Sequence, residues 1–224
     1  MAEQSTHEQQ STVEGGQAQA PEIPFVEDPW ARSKTRNGLP GDEVISALQK
    51  SIRRGNERAA CEFAYEMYIT SPAWEEKLWR RLLAISVEDI GMGNPEAAVI
   101  VNALNQMRQT FQYNESDRAM FFFHAIRYLC ESEKDRSTDF LKNLVIKNFA
   151  MGYVPEIPDY ALDKHTVRGQ QMGRDSEHFF NVACRVTPQA EVTNTYREEY
   201  GELLKRYSPD KAIPSAFKFS AIQA

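Results

Sequence analysis

The chain has 224 residues, 42% of them hydrophobic, and a formal net charge of −6. That is enough apolar material for one sizeable core, and the acidic balance excludes a protein that coats nucleic acid by bulk electrostatics. Cys61, Cys130 and Cys184 have no paired spacing, which excludes a disulfide framework or zinc ribbon and fits a reduced cytosol; no stretch nears the ~18 apolar residues that span a bilayer.

Residues 1–41 are polar, then punctuated by proline and glycine, and predict a disordered tail without a signal peptide. Within it, IPFVEDPW at 23–30 is either a segment packed on the domain edge or a short motif for a partner groove. Asp42 caps a first helix with Val44, Ile45, Leu48 and Ile52 on one face, ended by Gly55. Asn56 starts a second helix with Ala60, Phe63, Ala64 and Met67, and the pair predicts a hairpin.

Ser71 and Pro72 open a central helix. Trp74, Leu78, Leu82 and Ile85 form one stripe and Trp79, Leu83 and Val87 a second, so little of it is expected to face water. The run LWRRLLAISVEDIGMGNP at 78–95 then turns sharply: Gly91 and Gly93 accept positive φ, and Asn94-Pro95 reads as a cap and first residue of a fourth helix. Glu88 and Asp89, adjacent in that elbow, read as structural carboxylates capping the helix opened by Pro95 rather than as a catalytic pair. The fourth helix carries Ala97, Ile100, Val101, Leu104 and Phe111. A fifth, from near Ser116, carries Met120, Phe122, Phe123, Ile126 and Leu129, with His124 as a core or interface histidine. A sixth follows Ser137 with Phe140, Leu141, Leu144, Val145 and Phe149. No alternating strand appears, so the fold class is all-α, a compact helical bundle over residues 42–152. Residues 153–207 predict an irregular loop, a short helix over 176–184 and a last helix from Thr187-Pro188 with Val192, Tyr196, Tyr200, Leu203 and Tyr207, packed on that core. Residues 208–224 predict a tail.

The runs ISALQKSIRRG at 45–55 and RRLLAISVEDIG at 80–91 resemble the C-terminal region of the clamp-loader-like AAA+ ATPases called replication-associated recombination protein A, or MgsA, with their Werner-helicase-interacting relatives. The resemblance covers about residues 42–129. It implies a helical collar that assembles into tetramers in the setting of stalled replication forks; DNA and a separate AAA+ ATPase, completed in trans, are further candidate partners of this chain. This chain departs from the family at CESEKDR, positions 130–136, where the family has a small, uncharged run.

No GxxxxGK[ST] phosphate loop, HExxH or GxSxG motif occurs, so ATP hydrolysis, cofactor use and metal chemistry are not expected. The strongest chemical candidate is the loop of Lys164, His165, Arg168, Gly169, Gly173, Arg174 and His178. Its glycines and guanidinium groups suit a phosphate or nucleic-acid backbone, unless the arginines simply pair with Asp163, Asp175 or Glu177. His165 and His178 are too far apart for a recognised metal-ligand spacing. A second basic patch comprises Lys50, Arg53, Arg54 and Arg58. The leading expectation is a non-hydrolytic, cytoplasmic helical interaction module that self-associates and binds a partner or DNA. The alternative is an enzyme or nucleotide-binding protein with a pocket around His165, Arg168, Arg174 and His178.

Overall fold

The computed structural model describes residues 29–206, which divide into two compact units, one up to Asn148 and one from Phe149 onward. Among the described residues there is no sheet; the β features are limited to an isolated bridge between Lys34 and Pro40. Residues 1–28 of the expected N-terminal tail, the expected tail at 208–224 and the greater part of the 23–30 motif lie outside the described residues. Residues 29–40, expected from composition to end a tail, are instead built into the first unit. Trp30, in a short helical turn at Pro29–Arg32, packs edge-on against Trp74 at 4.8 Å between ring centroids.

Among the described residues, the core of the first unit is built mainly on five helices. Helix α1, Gly41–Arg53, buries Val44, Ile45, Leu48 and Ile52. Gly55, at φ +68°, reverses the chain, and the Asn56 side chain accepts from the Ala59 N–H to start α2, Glu57–Thr70. The hydroxyl of Ser71 accepts from the Trp74 N–H and Pro72 occupies the first turn of α3, Pro72–Ile85. Helix α3 is central as expected: Trp74, Leu78, Trp79, Leu82 and Ile85 are buried and Leu83 is partly so. Each fully buried large apolar side chain of this kind contributes about 1.5–3 kcal/mol. The second stripe ends sooner than its spacing suggests, because Val87 is half-exposed.

That change has a local cause. After Ile85 the helix widens into a π-helical turn, Ser86–Ile90, which shifts the register and sends Asp89 rather than Val87 inward. A single turn, Gly91–Gly93, leads to α4, Ala97–Met107. Helix α4 therefore begins two residues after Pro95, and no side chain caps it. Phe111 lies past its end in extended backbone. Helix α5, Arg118–Glu131, buries Phe122, Ala125, Ile126, Leu129 and Cys130 against α2 and α4, whereas Met120 and His124 face solvent. His124 is thus not a core histidine of this chain.

Helix α6, Ser137–Ala150, departs most from expectation. It forms where its spacing placed it, yet none of its residues is buried. Phe140, Leu141, Leu144, Val145, Ile146 and Phe149 are all between 45% and 65% exposed.

The second unit is irregular. It contains a short turn at Asp159–Ala161, α7 at Val167–Gln171, α8 at Ser176–His178 running into a π-helical turn at Phe179–Ala183, and α9 at Thr195–Arg206. The last helix starts seven residues or more after the Thr187-Pro188 signal, and Val192, Tyr196, Tyr200 and Leu203 remain largely exposed. Among its described residues only Leu162 and Gly169 are buried.

Candidate functional site

The acidic elbow is a buried charge cluster. Asp89 is fully buried. Its Oδ1 pairs with Arg53 Nε at 2.6 Å and lies 3.2 Å from Arg136 Nε, while its Oδ2 accepts from Gln49 Nε2 at 2.8 Å. Glu88 sits beside it, accepting from Gln49 at 3.0 Å within a ring of Arg53, Arg81 and Arg136 at 3.6 to 3.8 Å. These carboxylates do not cap α4; the π-helical turn points Asp89 at α1 and at the segment before α6. A carboxylate without water requires compensating charge and donors, and α1 and the segment before α6 supply them. Arg136 reaches on to Asp139 at 2.6 Å, so the cluster also pins the first turn of α6.

The glycines of the elbow serve the same junction. Gly91, at φ +52°, lies so close to Asp135 that an added Cβ would meet its carbonyl oxygen at 2.4 Å; at Gly93 the Glu133 oxygen would be 2.7 Å away. The Asp135 N–H donates to the Ile90 carbonyl at 3.0 Å. Two bare backbones are therefore laid together: contact requires glycine at both positions, whereas the positive φ expected at both is found at Gly91 and not at Gly93.

A second buried cluster has no counterpart among the sequence-based expectations. Glu75 on α3 is 1% exposed and receives Arg118 in a two-pronged pair, Nε at 2.9 Å and Nη2 at 3.0 Å. Arg108, equally buried, lies 3.3 Å from Glu75, donates to Glu76 at 2.7 Å and stacks over Trp79 at 5.6 Å. Arg118 also donates to the carbonyls of Arg108 and Phe111. A signal was present: Arg108 continues the Ala97, Val101, Leu104 stripe, and Glu75 adjoins Trp74 on the inward face of α3.

The 164–178 loop is organised mainly around its own backbone. Arg174 donates to the Asp159 and Leu162 carbonyls at 2.6 and 2.5 Å and pairs with the Asp159 carboxylate. Gly169 is buried, and a Cβ there would fall 1.9 Å from the Asp163 carbonyl oxygen; its openness serves self-packing rather than the approach of an anion. Gly173, at φ +71°, ends α7, and a Cβ added there would meet nothing within 4 Å. Thr166 caps α7 by accepting from the Gly169 N–H at 3.0 Å. Lys164 donates to Ser176 at 3.0 Å and lies over Phe179. Hydrogen bonds from the His165 side chain and N–H hold the Asp163 carboxyl below its usual range. His178 has a buried Nδ1 without a hydrogen-bond partner, and Arg168 is exposed without an ion pair. His165, Arg168, Arg174 and His178 make no hydrogen bond or ion pair with one another. None of them lines the cleft of about 850 Å³ in this unit, whose walls include Asp175, Glu177, Phe180, Arg197 and Glu198. Among the described residues no group of three or more His, Cys, Asp or Glu side chains is placed to hold a metal.

The second basic patch is likewise dispersed. Arg53 belongs to the Asp89 cluster, Arg54 donates to the Lys50 carbonyl at 3.1 Å, Lys50 donates to Ser46, and Arg58 pairs with Glu62 at 3.0 Å.

The class defined by this architecture is an all-helical domain whose described residues offer no parallel sheet on which a phosphate-binding loop is built. The chain belongs to the MgsA AAA+ ATPase C-terminal family, whose model matches residues 59–212, more than half of it. The elbow motif lies inside the matched region and the 45–55 run before it. The chain is 27% identical over 146 residues to the Replication-associated recombination protein A of Bacillus subtilis, covering 65% of this chain and 34% of that protein. It is 30% identical over 123 residues to the protein of the same name from Haemophilus influenzae, covering 55% and 26% respectively. The chain thus spans about a third or less of the length of these relatives. No helix among the described residues is long and apolar enough to cross a membrane.

Proposed function

We propose that this chain is a non-hydrolytic interaction module of the cytoplasmic replication, recombination or repair machinery, and that it works by assembling with further copies of itself through α6. The observation that carries this reading is the exposure of six large apolar side chains on one short helix that buries none of its own residues. Apolar surface in contact with water is costly, and a patch on the order of 600–700 Å² per chain, doubled across a symmetric contact, reaches the size of a standard protein interface. A two-fold contact places the same stripe on both partners, which suits a face of uniform chemistry. Family membership supports the assignment to replication and recombination; because a two-fold contact closes at two copies, the tetramer expected from that resemblance requires a second, different contact between such dimers.

The test is the mass of the full chain by light scattering over a concentration series, alone and with Leu141→Asp and Leu144→Asp combined. The wild type is expected to exceed the monomer mass and the variant to fall to it, with the far-ultraviolet helical signal retained in both. A wild type that stays monomeric at the highest concentration overturns the reading. A variant that assembles as well as the wild type removes α6 from it.

A further inference from the structure

Two prolines three residues apart set the backbone of the stretch that follows α6. In VPEIPDY at 154–160, Val154 and Ile157 each precede a proline and are confined to extended conformations, while the rings of Pro155 and Pro158 fix their own φ. Pro158 lies at φ −70° and ψ 151°, in the polyproline II region, and among the described residues no backbone hydrogen bond involves 153–157. A polyproline helix repeats every three residues and rises about 3.1 Å per residue. Val154 and Ile157 therefore form one edge, Pro155 and Pro158 a second, and Tyr153 with Glu156 the third. The first two edges make one continuous apolar surface, and it is bare: Val154 is 77% and Ile157 62% exposed, and both prolines face solvent. Both ends of this strap are held. Tyr153 packs edge-on against Phe149 at 5.8 Å, and Arg174 donates to the Asp159 carbonyl at 2.6 Å. A segment ordered in advance loses little entropy on docking. The first unit carries a groove of matching chemistry. Between α2 and α5 a hollow of about 420 Å³ is lined by Cys61, Tyr65 and Phe123, with the two rings 6.3 Å apart. Its walls at Arg58 and Tyr65 are seven residues apart on α2, about 10.5 Å along the axis, close to the rise of about 9 Å over one polyproline turn. The rim consists of two ion pairs, Arg58 with Glu62 at 3.0 Å and Arg127 with Glu57 at 2.9 Å, and so adds no net charge.

We propose that the strap at 153–160 of one chain docks into the α2–α5 groove of a second copy, with Pro155 and Pro158 against Tyr65 and Phe123 and with Glu156 left in water. Polyproline segments bind shallow aromatic-lined grooves because a rigid helix brings its pyrrolidine rings onto aromatic faces at little cost in entropy. A second copy is the occupant because the strap continues the exposed apolar surface of α6, from Phe149 through Met151 to Val154 and Ile157, and that surface already faces another chain on the reading above. Exchanged reciprocally, strap into groove in both directions, the contact is two-fold and closes. It is the second, different contact that joins α6 pairs into four. The tetramer therefore rests on the α6 reading, whereas the fit of strap to groove does not. One strap is a small contact, so it holds where several act together and leaves chains that cannot pair through α6 as monomers.

Fluorescence anisotropy of a labelled synthetic peptide of residues 151–161 tests it, with the full chain carrying Ile157→Asp as receptor, since that change disables the receptor's own strap and leaves its groove open. Saturable binding is expected. It should weaken about tenfold or more when Tyr65→Glu is added to the receptor, and equally when Pro155 and Pro158 of the peptide are replaced by alanine, a change that cannot disturb the receptor's fold. Adding Leu141→Asp and Leu144→Asp to the receptor should leave the affinity within about twofold, so that a failure of α6 pairing and a failure of the strap are read separately. By light scattering, full chains carrying Ile157→Asp or Tyr65→Glu alone should stop at the dimer mass while the wild type exceeds it. The proposal is overturned if the peptide does not bind, which would assign the strap to another protein, if a scrambled peptide binds as well, if Tyr65→Glu leaves the affinity unchanged, or if both single variants reach the wild-type mass.

Discussion

Asp89 shows how much one side chain decides. It is buried among Arg53, Arg136 and Gln49, so Asp89→Asn keeps the shape but leaves two guanidinium groups without their counter-charge. Breaking such a pair costs about 2–4 kcal/mol here, the lower end of the usual range for buried pairs, since both arginines are more than a quarter exposed. The midpoint of urea unfolding should fall accordingly; an unchanged midpoint would mean that the arginines are adequately solvated without it. Cysteine reactivity is a second residue-level consequence. Burial raises the Cys61 and Cys130 thiols from 9.0 to about 11. The folded state therefore favours the protonated thiols: their stabilising effect is complete below pH 9 and is lost as the pH rises from 9 to about 11. Iodoacetamide at pH 8 should label the exposed Cys184 well before the other two, and unfolding stability should decline across that alkaline window. Little of this was legible beforehand. Glu88 and Asp89 stood out as neighbouring acids, but which one turned inward depended on a π-helical turn that has no periodic signature. The Glu75, Arg108 and Arg118 cluster went unnoticed because charged residues on an apolar stripe are discounted when only the apolar ones are counted.

Among the elements, the helices with a buried face formed where their spacing put them, because Val44, Leu48, Ile52, Leu78, Leu82, Phe122 and Ile126 each repeat at helical intervals. Boundaries were read less well. Pro95 suggested a start that the chain delays to Ala97, and Thr187-Pro188 one that it delays to Thr195, since a proline permits a first turn without creating the partners that hold it. Helix α6 shows the limit of periodicity: the spacing of Phe140, Leu144 and Phe149 is compatible with burial, but no partner among the described residues covers them. The elbow carries the element-scale prediction. Gly91→Ala adds a methyl group against the Asp135 carbonyl and also strains a positive φ, so it should cost about 2–3 kcal/mol in thermal unfolding. Gly173→Ala shares the positive φ but meets nothing within 4 Å, and should cost about 1 kcal/mol. If the two cost the same, the close approach of Gly91 contributes nothing.

For the whole molecule, the division at Asn148 makes a direct prediction. A chain stopped after Asn148 retains the buried residues of α1 to α5 and both charge clusters, and should keep a single cooperative thermal transition close to that of the full chain. A molten or non-cooperative product would show that residues 149–224 are needed for the core to form. The candidate loop at 164–178 looked like a site because glycine and arginine alternate there. Its chemistry was legible, but its purpose was not: the same groups that would cradle a phosphate also cradle carbonyl oxygens, as Arg174 does with Asp159 and Leu162.

Arg136 gives the molecule one more property. Through it, the carboxylate that closes the core also fastens the root of the exposed apolar helix. On the proposed reading, a chain whose interior has come apart no longer presents that helix in a fixed pose, and so loses its grip on neighbouring copies. Membership of the assembly would then double as an inspection of folding, with damaged subunits shed by the same link that orients sound ones.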